Sequence, residues 1–197
     1  MLETAPSGIV QSLNQKNTDD SSRRTNIGEL KKWWSNSGWP DYVIYSPVFD
    51  AAFGSNLKLI IPGANDLTPD QIKNQLSNTA LPEGLASALN TELEVSHCGV
   101  LPKNVIPKIA VAQRKRDLKL ALAMQTGHAQ GGDGTVLIAG SGHARKDRGV
   151  PYYLRHFKEE SLTIIFREVS AGKTDPDTLI EPGEADYLWF TPRKKTG

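Results

Sequence analysis

Short apolar runs separated by polar stretches set the first division of the chain. Residues 11–26, QSLNQKNTDDSSRRTN, offer almost nothing to a core. They read as a flexible arm or the exposed end of a helix, so an arm over 1–26 and a single domain over 27–197 are expected. NIGELKKWWSNSGWP then predicts a short helix capped by Thr25 or Asn26, with Leu30, Trp33 and Trp34 apolar and Gly38 at its end. DYVIYSPVFDAAF predicts a strand followed by a helical turn, and LKLIIPGAN a continuous apolar strand stopped by Pro-Gly.

Further along, LTPDQIKNQLSNT places Thr68 at an N-cap, Pro69 in the first turn and Gln71 at capping-box spacing. LPEGLASALNTELEV opens another helix. Residues 105–126 carry the strongest helical period, with Ile109, Ala112, Leu120, Ala123 and Met124 recurring around a basic face and an end expected at Gly127. AQGGDG reads as a loop, TVLIAG as a buried strand, VPYYLRHF as a short helix opened by Pro151, and LTIIFREVS as a strand. AGKTDPDTLIEPGEA is loop-like and DYLWFTPR is the last strand. Alternating strands and helices specify an α/β fold, a mostly parallel sheet with helices on both faces and a binding site at the strand ends.

Composition narrows the partners. At 197 residues and 38% hydrophobic content the chain has enough apolar material for a core. A formal net charge of +1 gives no general attraction to nucleic acid or to an anionic membrane. The single cysteine, Cys98, forms no intramolecular disulfide, and no CxxC pattern supplies a structural zinc site. No apolar run approaches the roughly 20 residues of a membrane span. The first residues lack the basic and apolar regions of a signal peptide, so as written the chain is expected to stay in the cytoplasm.

The chemistry concentrates in VLIAGSGHARKDRGVPYYL. Gly140 and Gly142 are expected to permit tight or positive-φ backbone, projecting His143 from a strand end and leaving backbone N–H groups open to an anion. Arg145, Lys146 and Arg148 complement propionates, phosphates or carboxylates, and Asp147 is placed to orient an imidazole. An ordinary glycine-flanked turn with a solvated charge cluster fits the same spacing. Gln113, Arg116 and Asp117 recur at helical spacing, as pocket lining or as surface pairs. His97 beside Cys98 reads as a ligand pair, or as a hydrogen-bonded histidine beside a buried thiol. His128 and His156 read as surface residues. Tyr42, Tyr45, Tyr152 and Tyr153 are candidate phenolate ligands for ferric iron or core aromatics. No GxSxG, HExxH or P-loop occurs.

Four segments, WWSNSGWPDYVIYSPVFDAAF, SHCGVLPKNVIPKIAVAQRKRDLKLALAM, VLIAGSGHARKDRGVPYYL and ADYLWFTPR, resemble the ChaN family of iron-regulated, haem-binding bacterial proteins, in the same order from Trp33 to Arg193. The most specific part is the AQxxRD helix paired with the GxGHxRxDxGVP loop. The resemblance implies a non-catalytic haem-binding protein linked to iron acquisition, with two protomers enclosing haem through a tyrosinate ligand. The resemblance does not name the tyrosine; with it, the residues themselves lead to an expectation of His143, Arg145 and Arg148 at the haem, Tyr45 or Tyr152 as candidate axial ligand, and Gln113, Arg116, Asp117, Asp147, His97 and Trp39 around the pocket, with apolar walls from Trp33, Trp34 or Trp39.

Family members are similar to exported lipoproteins of the cell envelope and carry a Gly-Glu-x-His type motif on a first strand. That motif and a lipobox cysteine are absent here, so the chain resembles the carboxy-terminal two-thirds of a member, with an N-terminally incomplete sheet and an uncovered hydrophobic gap expected. The broader fold is similar to that of erythromycin esterase and the Tiki metalloproteases. That likeness implies a rival, a metal-dependent hydrolase with His143 as base or metal ligand and Asp147 orienting it. A third reading is a degenerate paralogue that binds nothing.

Overall fold

Aromatic spacing builds the amino-terminal part of the fold. The computed structural model describes residues 14, 20–38, 40–55, 57–60, 67–130, 133–170 and 179–193, with side chains omitted over 20–26. The chain divides into two compact units, Met1–Ala64 and Asn65–Gly197. In the first, α1 (Asp20–Ser35) is followed by α2 (Tyr42–Gly54), whose N-cap Asp41 accepts from the Val43 amide at 3.1 Å.

Where DYVIYSPVFDAAF was expected to open as a strand before a helical turn, α2 is helical from Tyr42 onward. Its Tyr42, Tyr45, Phe49 and Phe53 fall three or four residues apart and so share one face. That face closes on Trp34, whose ring meets Tyr42 and Phe49 edge-on at 5.7 Å and Tyr45 at 5.0 Å. Val43 and Ile44 are exposed, and their presence inside the same run is what mimicked a strand. The first helix also begins at Asp20, ahead of the expected caps Thr25 and Asn26. Of the expected arm, residues 1–13 and 15–19 lie outside the described residues. Of the expected LKLIIPGAN strand, residues 57–60 form no strand among the described residues, and 61–65 lie outside them. The Asn14 side chain occupies the Leu59 backbone instead, accepting from its N–H at 2.7 Å and donating to its carbonyl at 2.6 Å.

The second unit runs α3 (Pro69–Asn78), α4 (Glu83–Ser96), α5 (Ile106–Ala129), α6 (Ser141–Ala144), α7 (Val150–His156), β1 (Ile164–Val169) and β2 (Tyr187–Pro192). The capping box forms as read. Thr68 Oγ1 accepts from the Gln71 amide at 3.3 Å, and Gln71 Oε1 accepts from the Thr68 amide at 2.8 Å. The long helix α5 passes through Gly127 and ends at Ala129, because one glycine costs only about 1 kcal/mol and does not stop a well-packed helix.

Around α5 the core assembles. Leu118, Leu120 and Ala121 pack with Leu76 and with Val150, Tyr152, Tyr153 and Leu154, while Ile106 and Ala110 pack with Leu89 and Leu93. The Arg114 fork ties this together, donating to the carbonyls of Leu76 and Thr79 at 2.9 Å and to the Tyr153 hydroxyl at 3.1 Å. Burial pushes the Tyr153 phenol up to about 12 despite the opposing charge and hydrogen bond of Arg114.

The fold is α/β with a small sheet. β1 and β2 pair in parallel, Ile164 opposite Tyr187 and Phe166 opposite Trp189. These four side chains share a face that is exposed, so the expected helices on both faces are not seen among the described residues. TVLIAG also differs from the expected buried strand. Residues 135–140 form no strand among the described residues, and Val136 and Ile138 are exposed. No helix among the described residues is long and apolar enough to cross a membrane.

Candidate functional site

The GSGHARKDRGVP segment folds as the single turn α6, a tight loop and the start of α7. The Gly140 carbonyl accepts from the amides of His143 and Ala144 at 2.9 and 3.2 Å, which closes the turn. Positive φ is not the reason for its glycines. Gly140 has φ −61°, and the positive-φ glycines among the described residues are Gly38, Gly99 and Gly183. Space is the reason at Gly142, where a Cβ would lie 3.2 Å from Glu92 Oε1 and 3.6 Å from Gln113 Nε2. The small residue lets α6 settle against α4 and α5.

That approach brings His143 to Asp117. The imidazole Nδ1 lies 2.5 Å from Asp117 Oδ1, with the carboxylate only 1% exposed and the ring 22% exposed. A carboxylate only accepts, so Nδ1 carries the proton in this contact, and the neutral tautomer that fits it has its lone pair on Nε2. The sequence reading assigned this orienting role to Asp147, but Asp147 is committed elsewhere. It takes the Arg145 fork in bidentate fashion at 2.9 and 2.8 Å and Arg148 Nη1 at 2.8 Å. Burial pushes the Asp147 carboxyl up, but hydrogen bonding and charge from Arg145, with the charge of Arg148, outweigh it and hold the group below its usual range.

The charge ladder continues in both directions. Arg148 donates to Glu92 Oε2 at 2.6 and 3.2 Å. Arg145 reaches Glu184 at 3.1 Å and Glu181 at 2.8 Å, and Glu184 also takes Arg167 at 2.5 Å. Burial opposes ionisation of Glu184 as well, yet the Arg167 and Glu181 N–H hydrogen bonds and the two arginine charges leave its carboxyl below the usual range. For Arg145, burial works against the charge, and the Asp147 and Glu181 partners more than offset it, raising the guanidinium above its ordinary value.

Other expected residues are distributed differently. Gln113 stands beside Gly142, and Arg116 is exposed on α5 next to Asp117. His97 caps the carboxy terminus of α4, its Nδ1 hydrogen-bonded to the Leu93 carbonyl at 2.8 Å, and Cys98 is exposed at φ 54° where a buried thiol had been the commoner alternative. Tyr152 is buried, its hydroxyl donating to the Ala80 carbonyl at 2.8 Å. Tyr45, Trp33 and Trp34 belong to the amino-terminal unit and pack there, Trp34 inside its core. Trp39 lies outside the described residues.

Sequence reading missed Glu92, Glu181, Glu184 and Arg167. Their partners lie 39 to 56 residues away for Glu92–Arg148 and Arg145–Glu184, beyond any periodic signal. The one local hint was EPGEA, an acidic pair straddling a Pro-Gly turn inside a polar loop.

Against haem, the donor set fits in one respect. An imidazole held at Nδ1 by a buried carboxylate, with Nε2 left to coordinate, is the usual form of a histidine ligand. Tyr152 is buried and its hydroxyl is committed to the Ala80 carbonyl, so it would have to leave that partner to reach an iron. The Arg145 and Arg148 forks already hold carboxylates of the chain, so propionates would have to displace these. Among the described residues no group of three or more His, Cys, Asp or Glu side chains is arranged to hold a metal ion.

No curated protein and no solved structure matches the chain. The family described as haem-binding uptake, Tiki superfamily, ChaN matches residues 1–154, a span that starts ahead of the Trp33 motif and includes Asp117 and His143. Because that match covers well over half of the sequence, the chain belongs to the ChaN family.

Proposed function

We propose that the chain binds haem as a non-catalytic protein of iron acquisition, with His143 presenting Nε2 to the iron. The observation that carries this reading is the 2.5 Å contact from His143 Nδ1 to the buried Asp117, which orients the ring and leaves Nε2 as the outward nitrogen. The family's description as haem-binding supports the ligand class. Haem, when bound, would supply an iron centre able to take a nitrogen or oxygen donor, and His143 would offer it the Asp117-oriented imidazole. Arg145 and Arg148 keep the turn that bears it in place, and Glu181, which is exposed, is the carboxylate most readily exchanged for a propionate.

A haemin titration followed at the Soret band tests the proposal, with His143→Ala, Tyr45→Phe and Tyr152→Phe alongside. Saturable binding that is lost in His143→Ala supports it. Binding unaffected by His143→Ala but lost in either tyrosine variant moves the ligand to that phenolate. If one haem is shared by two protomers, saturation falls at half a haem per chain.

The His143–Asp117 pair also suits a general base, which keeps the hydrolase reading alive. Metal analysis of the purified protein separates the two: stoichiometric zinc or manganese without a Soret band supports the hydrolase.

A further inference from the structure

Glu184 is 1% exposed, lies beyond the family match, and sits in the loop that enters β2. Four hydrogen bonds converge on its carboxylate. Its side chain accepts from Arg145 Nη1 at 3.1 Å, from Arg167 at 3.0 and 2.5 Å, and from the Glu181 amide at 2.9 Å. Its carbonyl accepts from the Lys146 amide at 2.8 Å. One residue therefore grips two successive residues of the turn that follows His143.

That turn transmits position because it has no slack. Gly149 N–H donates to the Arg145 carbonyl at 2.8 Å, and a Cβ on Gly149 would stand 2.4 Å from the His143 carbonyl oxygen. His143, Arg145 and Gly149 thus form one closed piece of backbone. Asp117 holds it at the imidazole, and Glu184 holds it from the side of the sheet. We infer that Glu184 is a positioning residue for His143, acting through Arg145 and the Lys146 backbone to keep the imidazole seated on Asp117. The inference rests on His143 being the ligand-bearing residue. With the Glu184 charge removed, Arg167 loses its carboxylate and Arg145 keeps only Asp147 and Glu181, so the hold from the side of the sheet is lost and the uncompensated Arg167 charge pushes Arg145 and its turn outward.

A merely structural role would stabilise β1 and β2 without reaching the imidazole. The exposed Lys146–Asp186 pair, with Asp186 also accepting from the Thr163 amide at 2.7 Å, joins the same segments and serves as the control.

The test is nitrogen-edited NMR of the His143 ring in the full, ligand-free chain. Wild type should show distinct Nδ1 and Nε2 signals and a downfield Nδ1 proton. Glu184→Gln should broaden or abolish that proton and average the nitrogens while the remaining amide spectrum stays folded. Arg167→Met should shift the ring signals less in the same direction, and Asp186→Asn should leave them unchanged. Ring signals identical to wild type in folded Glu184→Gln overturn the inference, as does an equal shift in Asp186→Asn. If Glu184→Gln does not fold, Arg167→Met decides, and an unmoved ring overturns it. Haemin titration of the same variants should show about tenfold weaker binding for Glu184→Gln. A wild type that takes no haemin refutes the proposed function while leaving the ring result to stand or fall alone.

Discussion

Gly149 is pressed against His143: a side chain on the first would begin 2.4 Å from the carbonyl oxygen of the second and 2.8 Å from that of Arg145. Both obstacles are backbone, so neither can swing aside as a flexible side chain would. Gly149 has φ −92°, a value open to any residue, and the glycine is therefore there for space alone. Gly149→Ala should cost about 1–3 kcal/mol of stability by forcing the turn apart, and should weaken haemin binding as well. Gly140→Ala, with nothing within 4 Å of its Cβ, should be close to wild type in both. Thermal unfolding and haemin titration of the two variants check this, and equal behaviour would refute it.

Replacing Asp117 with asparagine keeps the shape but changes the proton. An amide turned to donate toward the ring needs an acceptor at Nδ1, and the imidazole then moves its proton to Nε2, the atom proposed to coordinate. Asp117→Asn should therefore lower haemin affinity by about 10–100-fold, the usual cost of losing a carboxylate behind a ligating histidine. Far-UV circular dichroism should show the helices retained. Undiminished affinity would place the ligand elsewhere.

Local signals were readable and long-range ones were not. The Thr68–Gln71 capping box, the Pro151 helix and both paired strands follow from neighbouring residues, and all are present. The start of the DYVIYSPVFDAAF helix read as a strand because exposed Val43 and Ile44 interrupt the aromatic face that defines it, and only contact with Trp34 reveals that face. The site divided in the same way. His143 was legible as a glycine-flanked histidine, and Asp117 as part of a helical triplet. Their pairing across 26 residues was not, and the nearer Asp147 seemed the natural partner until two arginines were seen to claim it.

Acid should loosen the turn before it melts the helices. Asp147 and Glu184 are both held below the usual carboxylate range in the folded chain, outweighing burial through their arginine partners. A carboxyl group whose folded pKa is depressed adds stability above its unfolded value and loses it as pH falls through the folded one. Stability should therefore be level above about pH 5 and decline as pH drops through about 4 and below. Urea midpoints measured between pH 7 and pH 3 give the profile, and Glu184→Gln should flatten its acid limb. A wild-type midpoint that does not change across that range would show that these ion pairs contribute nothing.

The capping box offers a way to separate stability from the site. Thr68 Oγ1 satisfies an otherwise unpaired amide in the first turn of α3, and Thr68→Ala removes it at a cost of about 1 kcal/mol. The far end of α3 is pinned independently by Arg114 on the Leu76 and Thr79 carbonyls. Fraying at the first turn should therefore stop short of the Leu76 contact with α5, and Asp117 on α5 should keep its position. Thr68→Ala is expected to lower the unfolding midpoint while leaving haemin affinity and the His143 ring signals at wild-type values. Loss of haemin binding in this variant would mean that the site responds to global stability, and the weaker binding expected of Gly149→Ala and Glu184→Gln could then no longer be assigned to the turn that carries His143.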